Sequence, residues 1–330
     1  MGVGAVDSSD LDDFVVEIDR LGGLGTTQAL EFMSDFSLRF RTAVDTTLDG
    51  FDTAYKEQQL DLYREISGRE VNQEANEQTE FELDEFLHTP SPYGSIEAAR
   101  IAHHARTILT THLVTDLAPG ARVLDMGCGW GMSTEMFAFC GCSVTAVDIN
   151  PDFTDLVARR AGIRGYDVEA VCSAFDDFES SDEFDLVFFY ECLHHAIAPW
   201  EVLQRLAGNV AAGGKFAFAG EPVQGDYWPQ WGLRLDPWSV YSIRKHGWFE
   251  SGWTADFLER CFDRVGFDLT LLPGIGFQHG EIGVAVRRTD DIATPSAHWA
   301  VPRTPREEPP PPPGMIERLA RAVARRIFRR

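Results

Sequence analysis

The stretch Val123-Leu124-Asp125-Met126-Gly127-Cys128-Gly129-Trp130-Gly131 constrains this chain more than any other. An apolar run ends in three alternate glycines and is followed by helical spacing, so a buried strand must turn sharply into a helix. Glycine allows backbone with positive φ and lets a ligand approach where a Cβ would clash. The same turn presents backbone N–H groups at a helix N-terminus. Dinucleotide oxidoreductases carry a related turn spaced GxGxxG. Here the spacing is GxGxG, with an acid at Asp125 two residues before the first glycine, which disfavours that class.

A second apolar run, Val144-Thr145-Ala146-Val147-Asp148, ends in a carboxylate one strand–helix unit downstream. A carboxylate at the tip of a second strand can accept both hydroxyls of a ribose, and the neighbouring Ile149 can cover an adenine face. From Arg122 onward, short apolar runs alternate with helical stretches, which predicts a largely parallel sheet. Strands are expected near 122–125, 143–148, 168–172, 184–190, 214–220, 267–272 and 282–287, with helices near 131–139, 152–161, 199–209 and 254–265.

With those features in register, the segment from about Ala121 to Arg288 resembles the class I S-adenosylmethionine-dependent methyltransferases. The resemblance rests on Asp125-x-Gly127-x-Gly129-x-Gly131, on Asp148, on Phe184-Asp185-Leu186-Val187 with the following Leu193-His194-His195, and on Ala212-Gly213-Gly214-Lys215. It implies an α/β fold, a doubly wound Rossmann-like seven-stranded sheet, with S-adenosylmethionine as cofactor. Backbone around Gly127, Cys128 and Gly129 would line the methionine moiety, with Asp125 ordering the turn and Asp148 holding the ribose. Ser173, Ala174 and Phe175 follow the third strand, where the family contacts adenine. Many members carry an Asp at the position of Ser173, so the bond to the adenine amino group falls to Asp176 or to backbone. Tyr190 and Glu191, at the end of the fourth strand, would border the methyl-transfer centre.

A sulfonium methyl is already a strong electrophile, so the protein's main task is to hold a nucleophile in line with it, a contribution of about 7–11 kcal/mol. An alcohol must also lose a proton during attack and benefits from a general base. His195 is the favoured candidate, because imidazole titrates near neutral pH; His194 and Glu191 are alternatives, and Glu221 a partner that could fix an imidazole. Glu191, His194 and His195 are suitable metal ligands, but they sit within one short loop with no evident distant partner, so no metal is expected.

Five of the eight tryptophans fall between Trp228 and Trp253, in an insertion spanning 222–253. Rings flanked by charge suit a polyhydroxylated or aromatic acceptor, which makes Trp228, Trp231, Arg234 and Glu221 candidate acceptor contacts. A weaker resemblance to bacterial methyltransferases of cell-surface glycan assembly points to O-methylation of a sugar or glycan hydroxyl. A small specialised metabolite methylated at O, N or C is the alternative, and a non-catalytic donor-binding scaffold comes from a different class.

Residues 1–120 carry 23 acidic and 8 basic side chains and read as a mainly helical extension acting as a lid, with Tyr93 over the cofactor. The acidic run from Glu65 to Glu85 reads as a solvated face. The whole chain has 52 acidic against 29 basic residues, which argues against nucleic-acid partners. Six cysteines without CxxC pairing, and an N-terminus without a basic, apolar leader, suggest a reducing cytoplasm. Residues 289–314 form a proline-rich linker, and 315–330 a basic amphipathic helix with six arginines. That helix could contact the anionic inner face of a membrane at about 1 kcal/mol per arginine.

Overall fold

The computed structural model describes residues 2–89, 98–272 and 281–288. The chain up to Arg288 forms one compact unit. Tyr93, the proline-rich linker and the basic helix expected at 315–330 lie outside the described residues.

Seven strands make the central sheet: β1 (Arg122–Met126), β2 (Ser143–Asp148), β3 (Val168–Cys172), β4 (Phe184–Tyr190), β5 (Val210–Glu221), β6 (Phe267–Leu272) and β7 (Glu281–Arg287). Their spatial order is β6-β7-β5-β4-β1-β2-β3. All neighbours from β5 to β3 run parallel, and β7 is antiparallel to both β5 and β6. The chain leaves β1 toward β2 and β3 on one side and crosses back to β4 on the other. The strand order therefore reverses between β1 and β4, and at such a switch point the carboxyl ends of the strands part to leave a crevice. This is the class I methyltransferase arrangement expected from the sequence.

Alternation within the strands divides the core between two faces. Leu124, Met126, Val187, Phe189, Phe216 and Phe218 pack on one face, whereas Val123, Leu186, Phe188, Ala217 and Ala219 pack on the other. Because both faces are covered, β1 and β4 read as nearly continuous apolar runs rather than alternating ones. The helices of eight or more residues among those described are α1 (Leu11–Arg20), α2 (Thr53–Ser67), α3 (Ala98–Thr115), α4 (Met132–Phe139), α5 (Pro151–Arg164), α6 (Pro199–Leu206), α7 (Pro237–His246) and α8 (Ala255–Arg264). Local chemistry sets their ends. Asn150 caps α5 by accepting from the Asp152 N–H at 2.9 Å, Pro151 occupies the first turn, and Gly165 closes the helix at φ 68°.

The N-terminal extension and the 222–253 insertion pack together in the larger of the two cores. The Tyr55 hydroxyl on α2 donates to the Trp231 carbonyl at 2.5 Å, and the Trp231 indole donates to the Gly50 carbonyl at 2.6 Å. Tyr63 reaches the Gly247 carbonyl at 2.5 Å, and Arg244 of α7 forks onto Asp12 of α1. The insertion itself is a short antiparallel pair, Trp231–Leu233 with Ser251–Trp253, with α7 between them. Most of its aromatic surface is thus consumed by packing. Among the described residues no helix is long and apolar enough to cross a membrane.

Candidate active site

The glycine turn after β1 is anchored from below. The carboxylate of Asp125, fully buried, accepts from the Ser133 and Thr134 hydroxyls at 2.7 and 2.6 Å, tying the strand end to the first turn of α4. Burial pushes this carboxyl up to about 6. Gly127 sits at φ 67°, where a Cβ would lie 2.7 Å from the Cys192 Cβ, so the turn and the loop after β4 can touch only if residue 127 has no side chain. Gly129 also has positive φ, 46°, and a Cβ built there meets no atom of the chain: the turn faces open space.

That space is a cavity of about 280 Å³ at the carboxyl ends of β1, β2 and β4, near the lower end of small-molecule sites at about 300 Å³. Asp148 lies at its wall. One carboxylate oxygen accepts from the Gly129 N–H at 2.7 Å and the other from the Asn150 N–H at 2.9 Å. Four lone-pair positions serve two backbone donors, so two remain for hydroxyls. Burial pushes the Asp148 carboxyl up to about 6 despite these bonds. Ile149, Ser173, Ala174 and Phe175 line the cavity as expected, and so does Asp176.

A strap from the N-terminal extension completes the wall. The Thr79 carbonyl accepts from the Asn150 side chain at 2.9 Å, and Phe81 packs against Trp130 and Phe153 with ring centroids 4.7 and 5.3 Å away. Gln73 donates to the His195 carbonyl at 2.5 Å, and Glu77 accepts from the Phe249 N–H at 2.8 Å. Gln73, Glu77 and Thr79 all face the cavity. Part of the acidic run that reads as a solvated face is therefore site wall. Trp248, from the insertion, faces the cavity too. None of Gln73, Glu77, Trp130 and Phe153 is singled out by the sequence, whereas Trp248 is one of the five insertion tryptophans expected near the acceptor. Trp130, lying inside the glycine motif, is the one whose position could have signalled it.

The loop after β4 holds the groups for proton chemistry. Glu191 faces the cavity with its backbone at φ 50°, one of two left-handed non-glycine residues among those described. Burial, reinforced by the Glu221 carboxylate and opposed by a hydrogen bond from Tyr190, pushes its carboxyl up to about 7. His195 also faces the cavity, its Nδ1 3.4 Å from a Glu77 oxygen. The pair is too poorly aligned for a hydrogen bond. Burial disfavours a charged ring, but the Glu77, Glu250 and Glu221 carboxylates outweigh it and raise His195 to about 9. A ring that holds its proton at neutral pH is a poor base, so the preference for His195 passes to Glu191. His194 turns away from the cavity: its Nδ1 meets the Glu221 carboxylate at 2.9 Å and its Nε2 faces Glu250 at 3.6 Å.

Other expected contacts fall elsewhere. Tyr190 packs toward α3, hydrogen-bonded to His104, whose imidazole burial pushes down to about 4. The Cys128 side chain packs with Ala146 and Val157, so only its backbone shapes the turn. Trp231 is fully buried. Trp228 donates to the Leu233 carbonyl at 2.7 Å, and neither ring lines the cavity, because both are needed to seat the insertion. Glu221 is fully buried, accepting from the backbone N–H groups of Cys192, Leu193 and His194. Arg234 pairs with Asp236 at 3.1 Å and Glu250 at 3.7 Å rather than entering the cavity.

The profile of a family described as a methyltransferase domain matches residues 99–272, more than half of the chain. The chain belongs to this methyltransferase family. A ubiquinone biosynthesis O-methyltransferase of Xanthomonas axonopodis pv. citri is 30% identical over 138 residues, covering 41% of this chain and 58% of that protein. One from Xanthomonas oryzae pv. oryzae is 33% identical over 140 residues with the same coverage. The chain thus spans under two thirds of the length of the curated relatives it matches. Among solved structures, magnesium protoporphyrin IX methyltransferase of Synechocystis with bound S-adenosylmethionine is similar at TM-score 0.46 and 15% identity, over 62% of this chain and 90% of that one. The Burkholderia thailandensis 1,6-didemethyltoxoflavin N1-methyltransferase gives 0.44 and 22%, over 58% and 81%.

The residues present fit S-adenosylmethionine, the methyl donor that the sequence resemblance implies. Gly129 opens onto unfilled space, Asp148 keeps lone pairs for a ribose, and Ile149 and Phe153 offer apolar cover for a base.

Proposed function

We propose that this methyltransferase transfers a methyl group from S-adenosylmethionine to a hydroxyl oxygen, with Glu191 as general base. The observation that carries this is a cavity-facing carboxyl with its pKa pushed up to about 7 at the end of β4, held in a strained backbone. A base is most useful when its pKa lies near the working pH, and strained backbone persists where the surroundings over-determine it, commonly at functional sites.

The bound cofactor supplies an electrophilic methyl group. The Asp148 carboxylate orients its ribose hydroxyls, and the Gly127–Gly129 backbone leaves room for its methionine portion. Glu191, when ionised, holds the acceptor hydroxyl and takes its proton onto a carboxylate oxygen. The Glu77 strap and Trp248 wall the cavity, and polar contacts strengthen where protein replaces water.

A phenolic hydroxyl is the favoured acceptor. The sugar-hydroxyl reading leaned on Trp228, Trp231 and Arg234, which are engaged in packing and ion pairs. Trp248, Trp130, Phe153 and Phe175 give the cavity flat aromatic surface, and the relatives bear the name of O-methyltransferases. Formation of S-adenosylhomocysteine should be followed with panels of phenols, sugars and amines. Turnover with phenols supports the proposal. A protein that binds the donor yet turns over no hydroxyl acceptor is a scaffold, and the proposal fails.

A further inference from the structure

We infer that His194, His195 and Glu250 form a binding site for one divalent transition-metal ion in the wall beside the cavity. A ring nitrogen of each histidine and an oxygen of Glu250 lie within 4.8 Å of one another. Metal–ligand bonds of about 2.1 Å put ligand atoms about 3.4 Å apart in a tetrahedron, so shifts of an ångström or so would close the set. Two imidazoles and a carboxylate suit zinc and its neighbours.

The hydrogen bonding favours a cation. Glu221 is fully buried and accepts three backbone N–H bonds from residues 192–194, at 2.8–3.1 Å, so it presents a carboxylate to His194 Nδ1 at 2.9 Å. That contact fixes the ring's orientation and turns Nε2 toward Glu250. Nε2 faces a Glu250 oxygen 3.6 Å away, so the ring lies between two carboxylates. A metal cation ligated by Nε2 and this oxygen would occupy the gap between them. Carboxylate–histidine–metal relays are the common outer-shell arrangement of such sites. His195 lies beside them with ring centroids 4.3 Å apart, its buried Nδ1 3.4 Å from a Glu77 oxygen in an ion-pair contact without hydrogen-bond geometry. Glu77, Glu221 and Glu250 bring three carboxylates to this group, and the nearby Arg234 offsets only one and is already shared with Asp236.

What the loop lacks in sequence is a distant partner. It arrives from the insertion, more than fifty residues on, because the Ser251–Trp253 strand packs against the Leu193–His195 turn and Ser251 donates to the His194 carbonyl at 2.7 Å. The site would place a Lewis acid beside the cavity that His195 also lines, able to orient an acceptor bearing two adjacent oxygens. This role rests on the methyl-transfer reading; ligation itself does not.

The full-length chain, free of any histidine tag and stripped with a chelator, should be titrated with Co(II) alone, following visible absorption and equilibrium dialysis. One equivalent should bind with the absorption of a low-coordinate nitrogen–oxygen site, and Zn(II) should displace it. Glu250→Gln and His195→Gln should abolish the bands. Glu221→Gln, which removes only the outer-shell partner, should weaken binding about 10–100-fold. Calorimetry with S-adenosylhomocysteine on the same samples checks the cavity separately. Donor binding without any Co(II) binding, as expected if a proton rather than a metal sits between His194 and Glu250, overturns the metal site and leaves the methyl-transfer reading standing. Equal Co(II) binding by wild type and both ligand variants also overturns it.

Discussion

Glu191→Gln keeps the size of the side chain and the left-handed backbone of residue 191 while removing its charge. Burial, with the Glu221 carboxylate, raises this carboxyl from 4.5 to about 7. Because the folded-state value is raised, the folded protein prefers the protonated acid. The stabilisation this confers is complete below pH 4.5, declines as pH climbs, and is lost above about 7. The difference corresponds to about 3 kcal/mol, and glutamine, which does not titrate, lacks the dependence. Urea unfolding of both proteins at about pH 5 and about pH 8 should therefore show the variant gaining about 2–3 kcal/mol on wild type at the higher pH. Over the same interval its kcat should fall about 10²–10⁴-fold, and kcat/KM should lose a rising limb near neutrality. Stability differences that stay constant with pH would refute the buried, raised carboxyl. Undiminished turnover would refute its role as base.

Three further outcomes follow from the same geometry. Asp148 must be ionised to accept ribose hydroxyls, so donor affinity measured by calorimetry should fall up to about tenfold per pH unit below about 6, and Asp148→Asn should weaken it about 10–100-fold. Gly127→Ala forces a Cβ to 2.7 Å from Cys192 at φ 67°; denaturant unfolding should show a loss of about 3 kcal/mol. Trp231→Phe removes the indole bond to Gly50 and should cost about 2 kcal/mol of stability while leaving acceptor KM unchanged.

The sheet was legible because burying β1 and β4 on both faces demands continuous apolar runs, and because the Gly127–Gly131 turn and Asp148 each answer a local backbone or ligand requirement. All seven strands lie where periodicity puts them, with β5 beginning four residues earlier, at Val210. What escaped was built by distant partners. Whether Trp231 faces an acceptor or the core depends on Tyr55 and Gly50, more than 170 residues away. Glu77 reads as one more solvated carboxylate until the strap lays it beside His195. The rank of Glu191 over His195 follows from how many carboxylates surround each, which spacing along a chain does not reveal. Glu250 met the two histidines only through the insertion's short strand pair.

The account stands on the cavity between β1, β2 and β4 being a methyl-donor site. Calorimetric titration of the full-length protein with S-adenosylhomocysteine and, in parallel, with NAD tests this most directly. One equivalent of S-adenosylhomocysteine should bind with saturable heat while NAD gives none. Saturable NAD binding with no response to S-adenosylhomocysteine would contradict it.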